Sequence, residues 1–244
     1  MALPLIGITT YGRDEDGSFS LPGVYIDAVR RAGGVPFLVP PGETNWSPLL
    51  AIIDGWILTG GGDMDPGAYG GEGHETMYMV DSERDSSEFE LVRHIVDSSA
   101  PIFGICRGVQ VLNVVMGGDL HAHLPDVVGD QIAHRAPPRQ PIPHRVTLKP
   151  GTKLAAIVKE LEFEAASWHH QGIRKVASAL EVVAHAPDGV IEAVEMAAHP
   201  WLIGVQWHPE LTAARDPIQQ RLFDAFVEFA SGKRKRGILA GDGR

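Results

Sequence analysis

The chain has 244 residues and a single cysteine, Cys106, in the run Gly104-Ile105-Cys106-Arg107-Gly108. Apolar, β-prone residues lead into it from Pro101, and the residues after it have helical spacing. A thiol at a strand-to-helix turn, with small residues two positions away on each side, has the spacing of a nucleophile elbow. A cysteine attacks as its thiolate, and the partial positive charge and free N–H groups of a helix N-terminus favour that form. The competing reading is a buried thiol acting as a small hydrophobe.

A thiolate that attacks a carbonyl needs a base, and the base needs an orienting partner. Among 11 histidines, His208 stands out in Gly204-Val205-Gln206-Trp207-His208-Pro209-Glu210. A β-prone run ends at Trp207, and Glu210 follows two residues after the imidazole. Pro209 fixes its own φ and restricts the residue before it, so imidazole and carboxylate keep a defined relation. Acyl transfer also needs donors for an oxyanion. The N–H of Arg107 follows the nucleophile directly. Gly60-Gly61-Gly62-Asp63 offers a glycine loop at another strand end.

The elements that must carry these groups alternate. Strands are predicted at 5–9, 35–40, 55–59 and 101–105, and helices at 23–32, 48–53, 83–96 and 109–116. Phe89, Val92 and Val96 are expected to face inward on the third helix. Alternating strands and helices indicate an α/β fold with a mostly parallel central sheet and helices on both faces. Residues 126–145 are proline-rich and read as a surface loop. Beyond them RVTL, EVVAHA, IEAVEM and LIGVQW read as strands, some joined by short turns, which adds a small antiparallel portion. A closing helix is expected over 215–230. No repeat or linker splits the chain, so one domain is expected over 1–232, with a basic, disordered tail over 233–244.

Composition narrows the function classes. The formal net charge is -10, which argues against nucleic acid or an anionic membrane as partner. One cysteine cannot form an internal disulfide, no apolar run reaches transmembrane length, and the N-terminus lacks a basic leader, so a cytoplasmic location is expected. His121, His123, His134 and His144 form no H-E-x-x-H or cysteine-rich pattern, so no metal is expected.

Three motifs, TGGGD, GICRGVQ and GVQWHPE, occur in this order, each at a predicted strand end. With them the chain resembles the class I glutamine amidotransferase-like superfamily, and within it the γ-glutamyl-γ-aminobutyrate hydrolase group, classed with the γ-glutamyl peptidases. LPGVYIDAVRRAGGVP, DGWILTGGGDMDP, RDSSEFEL, WHHQGI and APDGVIEAVE support the likeness, which covers residues 4 to 230 or so. The resemblance implies a flavodoxin-like fold with Cys106 as nucleophile, His208 as base and acid, and Glu210 as its orienter. It implies Gly61 and Arg107 as oxyanion donors, and Gln110, His169 and His170 as contacts to the γ-glutamyl group. One relative carries glycine where this chain has His170, so the chain departs from the family pattern there. The implied reaction is hydrolysis of a γ-glutamyl amide through a thioester, with γ-glutamyl-γ-aminobutyrate of putrescine catabolism as leading substrate, no cofactor, and a homodimer allowed. Two rival readings remain. One is a glutaminase subunit serving a separate synthetase, and the other is a non-catalytic binding module.

Overall fold

The structure is a computed structural model that describes residues 2–241, with side chains through Gly232. The expectation of a disordered tail at 233–244 therefore falls outside the described side chains. The first half is a βα alternation: β1 (Leu5–Thr9), α1 (Gly23–Arg31), β2 (Val35–Val39), α2 (Ser47–Ile52), β3 (Gly55–Leu58), a 3₁₀ turn at Pro66–Tyr69, α3 (Ser82–Ile95), β4 (Ile102–Ile105) and α4 (Arg107–Val115). Then come β5 (Asp119–His121), α5 (Pro125–Val128), β6 (Ile142–Leu148), α6 (Lys153–Val158), β7 (Glu162–Ser167), β8 (Gly172–Lys175), β9 (Glu181–His185), β10 (Ile191–Glu195) and β11 (Leu202–Val205). A second 3₁₀ turn at Pro209–Leu211 leads to α7 (Pro217–Gly241).

Nine strands form one sheet in the order β2-β1-β3-β4-β11-β10-β9-β6-β7, and β5 pairs with β8 separately. β2, β1, β3, β4 and β11 are parallel. β10, β9, β6 and β7 each run antiparallel to their neighbours. β3, β4 and β11 are buried along their whole length, as strands covered on both faces must be. One face is covered by α1, α6 and α7, whose Val29, Leu154 and Phe223 share a core. The other is covered by α3 and α4, through Leu91, Ile95 and Leu112.

The antiparallel portion is larger than expected. β7 and β8 have no clear apolar signal, and β6 begins inside the segment read as loop. In β6 the alternation Ile142, His144, Val146, Leu148 faces inward, but a histidine holds one inward position, and Pro141 and Pro143 bracket Ile142, which hides the pattern. On α3 the buried apolar residues are Leu91, Val92 and Ile95, while Phe89 and Val96 are only partly covered. The reason is that Arg84, Asp85 and Glu88 occupy the buried face of the first turns.

The βα turn after β4 depends on a close approach. A Cβ on Gly108 would sit 2.1 Å from the carbonyl oxygen of Leu58 on β3. Gly108→Ala is therefore expected to push α4 off the sheet and to cost roughly 1–3 kcal/mol in urea unfolding. An unchanged midpoint would contradict this packing.

Candidate active site

Three neighbouring parallel strands end at one rim. β4 lies between β3 and β11, with Gly104 paired to Leu58 on one side and to Gly204 on the other. Cys106 follows β4 directly, caps α4, and has φ 51° and ψ −106°. A non-glycine residue in this region costs on the order of 1–3 kcal/mol and persists only where its surroundings fix it. Here the Cys106 N–H donates to Val205 O at 2.8 Å, and its carbonyl accepts from Val109 N–H at 3.1 Å. The turn lifts the thiol off the strand end, as an elbow requires.

The glycine loop after β3 and the His-Pro-Glu turn after β11 meet this thiol. A Cβ on Gly60 would lie 2.7 Å from His208 Cε1 and 3.5 Å from Cys106 Cβ. The imidazole and the thiol thus border the same small volume. His208 Nδ1 is 2.6 Å from Glu210 Oε1, which directs Nε2 away from the carboxylate. The His208 N–H donates to Ala166 O of β7 at 2.8 Å. The neighbouring Trp207 indole donates to Gln219 on α7 at 2.9 Å. Burial lowers the pKa of His208, but the charges of Glu210 and Cys106, together with hydrogen bonds to both, hold it well above the usual value. Around the thiol stand three phenols, each kept neutral by burial: Tyr25 well above its usual range, and Tyr11 and Tyr78 pushed up to about 12.

The glycine loop and the elbow are tied together from below. Among the described residues, the N–H groups of Gly61 and Arg107 have no protein partner. Gly61 has φ 141°, and a Cβ there would strike Arg84 Nη1 at 2.2 Å. The Arg84 guanidinium donates to Thr59 O at 3.2 Å and to Gly60 O at 2.7 Å, and pairs with Glu88 at 3.3 Å. Arg107 pairs with both Glu88 and Asp85. Asp85 also accepts from Asp65 N–H at 2.9 Å, beyond the glycine loop. One buried ionic network on α3 therefore holds both the elbow and the loop. Burial alone would raise the Glu88 pKa, but the two guanidiniums keep it below the ordinary range. The sequence reading used Arg107 only for its backbone. The signal for its side chain was the Arg84–Glu88 i,i+4 spacing within RDSSEFEL.

The residues implied as substrate contacts divide. Gln110 is buried, and its amide donates to Gln206 Oε1 at 3.2 Å and more weakly to Gln171 O at 3.4 Å. Gln206 in turn reaches Cys106 Sγ at 3.7 Å. The sequence reading assigned Gln206 no role, although it lies inside the His-Pro-Glu motif. His170 pairs with Asp63 at 2.9 Å and meets His123 Nδ1 at 3.1 Å, so it closes the far end of the glycine loop. His169 turns elsewhere. One ring nitrogen faces Gln171 O at 2.9 Å and the other faces Glu192 at 3.5 Å. Neither is directed at the thiol. From the 126–145 loop, Arg139 lies over the Tyr78 ring at 4.4 Å, and Arg135 at 5.7 Å. Arg135 Nη1 is buried without a partner.

Several known proteins are similar to this chain. The family described as Peptidase C26 matches residues 4–210. The Mycobacterium tuberculosis protein Rv2859c is 39% identical over 242 residues, covering 94% of this chain and 75% of that one. The γ-glutamyl-γ-aminobutyrate hydrolase PuuD of Escherichia coli K12 is 33% identical over 237 residues, covering 92% of each. The crystal structure of a glutamine amidotransferase from Thermotoga maritima superimposes with a TM-score of 0.60 at 18% identity, covering 96% of this chain and 86% of that one. That likeness shows the fold. Among the described residues no helix is long and apolar enough to cross a membrane.

Two outcomes follow from these contacts. Glu88→Ala leaves Arg84 and Arg107 buried without their shared carboxylate, and should cost about 3–5 kcal/mol in denaturant unfolding. A loss under 1 kcal/mol would show that the network does not hold the rim. For His208 the sign is set by its raised pKa. Its stabilising effect is full below about 6.5, the unfolded value, and is lost as pH rises through the folded pKa. Because Cys106 contributes to that shift, the measurement keeps the thiol, and unfolding free energy should decline from about pH 6.5 upward. Adding Glu210→Gln should flatten that decline, and equal slopes in the two proteins would remove Glu210 as the partner.

Proposed function

The chain belongs to the peptidase C26 family of glutamine amidotransferase-like hydrolases, and from that premise we propose that it cleaves γ-glutamyl amides by way of a thioester on Cys106. The observation that carries the proposal is an elbow cysteine at φ 51° beside an imidazole whose far nitrogen is held by a carboxylate at 2.6 Å. In the first step Cys106 passes its proton to His208, and sulfur attacks the side-chain carbonyl of the glutamyl unit. The oxyanion accepts hydrogen bonds from the N–H groups of Gly61 and Arg107. Removing one such donor from a comparable site costs about 3 kcal/mol of barrier. His208 then gives the proton to the departing amine. A water deprotonated by the same imidazole hydrolyses the thioester, releasing glutamate and free enzyme.

The substrate side of the proposal rests on the two arginines of the 126–145 loop. The chain as a whole is acidic, so a carboxylate-bearing substrate gains nothing from the net charge. Arg135 offers a buried donor without a partner, and Arg139 stands beside it on Tyr78. A guanidinium recognises a carboxylate through paired donors. A γ-glutamyl amide carries one carboxylate on the glutamyl unit, and γ-glutamyl-γ-aminobutyrate carries a second on the amine. Two guanidiniums favour it over glutamine, whose leaving group is ammonia. The 33%-identical hydrolase from Escherichia coli is named for that substrate.

A panel of γ-glutamyl amides with the purified chain tests the reading. γ-Glutamyl-γ-aminobutyrate should exceed glutamine in kcat/KM by about 100-fold, the worth of one charged hydrogen-bonded contact. Cys106→Ala should lower kcat by about 10⁴-fold or more, with the circular-dichroism spectrum unchanged. Arg135→Ala should raise KM about 10-fold or more while kcat changes less. Undiminished turnover in Cys106→Ala would end the proposal. A preference for glutamine would instead favour a glutaminase, and no turnover of any amide would favour a binding module.

A further inference from the structure

A second constellation lies in the antiparallel half. His144 on β6, Glu192 on β10, His134 from the 126–145 loop and His169 after β7 are all buried. Each histidine directs one nitrogen at the same oxygen, Glu192 Oε1: His134 Nδ1 at 3.5 Å, His144 Nε2 at 3.4 Å and His169 Nε2 at 3.5 Å. None of these contacts is a hydrogen bond. All three nitrogens and both Glu192 oxygens are buried without a hydrogen-bond partner. Leaving one such group unpaired costs about 1–3 kcal/mol, so five in one place call for a missing partner.

Tautomers sharpen the point. His134 Nε2 lies 2.9 Å from the Asp188 carboxylate, and His169 Nδ1 lies 2.9 Å from the carbonyl oxygen of Gln171. Both partners can only accept, so those nitrogens carry the protons. In its neutral ring His169 Nε2 is then a bare lone pair aimed at a carboxylate. A lone pair facing an anion repels unless something positive sits close by. A hydrogen bond would bring nitrogen and oxygen to about 2.7–3.2 Å. Ligands at about 2.05 Å around one tetrahedral ion stand about 3.4 Å apart instead. The donor atoms of His134, His144 and Glu192 all lie within 4.8 Å of one another.

We propose that His134, His144 and Glu192 bind a divalent transition-metal ion of the zinc class. Imidazoles and a carboxylate suit zinc or its neighbours, not magnesium or calcium. All three ligands are buried, and His169 stands against the same carboxylate from outside this trio at 3.5 Å. Asp188 fixes the ring orientation of His134 from behind, as outer partners of metal-bound histidines do. The ion ties the proline-rich loop to β6 and β10. The proposal does not rest on the hydrolase reading, and it reverses the expectation that the histidines hold no metal. The sequence concealed the site because its ligands are spread from 134 to 192 with no short motif.

The test uses the full chain carrying Cys106→Ala, so that the thiol cannot bind metal. Elemental analysis of protein purified without chelator should find about one zinc-class ion per chain. After stripping, Co²⁺ should give the visible absorption of a tetrahedral site, and Zn²⁺ at a hundredfold excess over Kd should raise Tm by about 5–10 °C. Adding Glu192→Gln, which keeps the volume of the side chain, or His144→Ala should abolish both responses. A folded Glu192→Gln protein, verified by circular dichroism, guards against loss through misfolding. The proposal is overturned if Co²⁺ gives no tetrahedral band in the Cys106→Ala chain, or if the band keeps its strength in the folded Glu192→Gln protein.

Discussion

The strained backbone at Cys106 is the constraint on which the rim of the sheet depends. Its φ of 51° is tolerated because β4 enters between two strands and α4 leaves within van der Waals reach of β3. That packing requires glycine at 108, where any side chain would meet Leu58 O. The same turn presents the thiol to whatever follows β3 and β11. Those strands supply the glycine loop and the His-Pro-Glu turn, so the chemistry follows from strand order as much as from residue type.

Two buried polar clusters flank this rim and do different work. On the α3 side, Arg84, Asp85, Glu88 and Arg107 couple the glycine loop to the elbow. A buried ion pair contributes little net stability compared with apolar packing, but breaking one is costly. Such a network therefore fixes geometry more than it adds stability, as the proposed pair of oxyanion donors requires. On the antiparallel side, the three histidines around Glu192 fasten the loop that carries Arg135. His134 is the residue before that arginine, and Gln171 O is shared between His169 and Gln110. The arginine proposed to bind substrate thus rests on a frame separate from the one that holds Cys106.

The parallel half was legible in the sequence because its strands are apolar throughout and its helices follow at regular intervals. Helix limits shifted by only one or two residues there: α4 starts at Arg107, where spacing alone suggested 109. The antiparallel half was less legible because its inward positions carry polar side chains. His144 interrupts the apolar alternation of β6, and Glu192 is wholly buried within β10. A polar residue at an inward strand position is itself a signal, and it marks the metal cluster more clearly than any spacing between histidines. His169 shows the limit of reading roles from likeness alone. Its neighbour His170 closes the glycine loop on Asp63, whereas His169 joins Glu192.

The central claim is that Cys106 carries the γ-glutamyl group during turnover. The most direct measurement is acid quenching of the chain within the first turnover of a chromogenic γ-glutamyl anilide, followed by peptide mass analysis. A γ-glutamyl thioester on the peptide containing Cys106, matched by a burst of about one anilide per chain, is the expected result. Release of the anilide with no burst and no mass added at Cys106, while steady turnover proceeds, would contradict it.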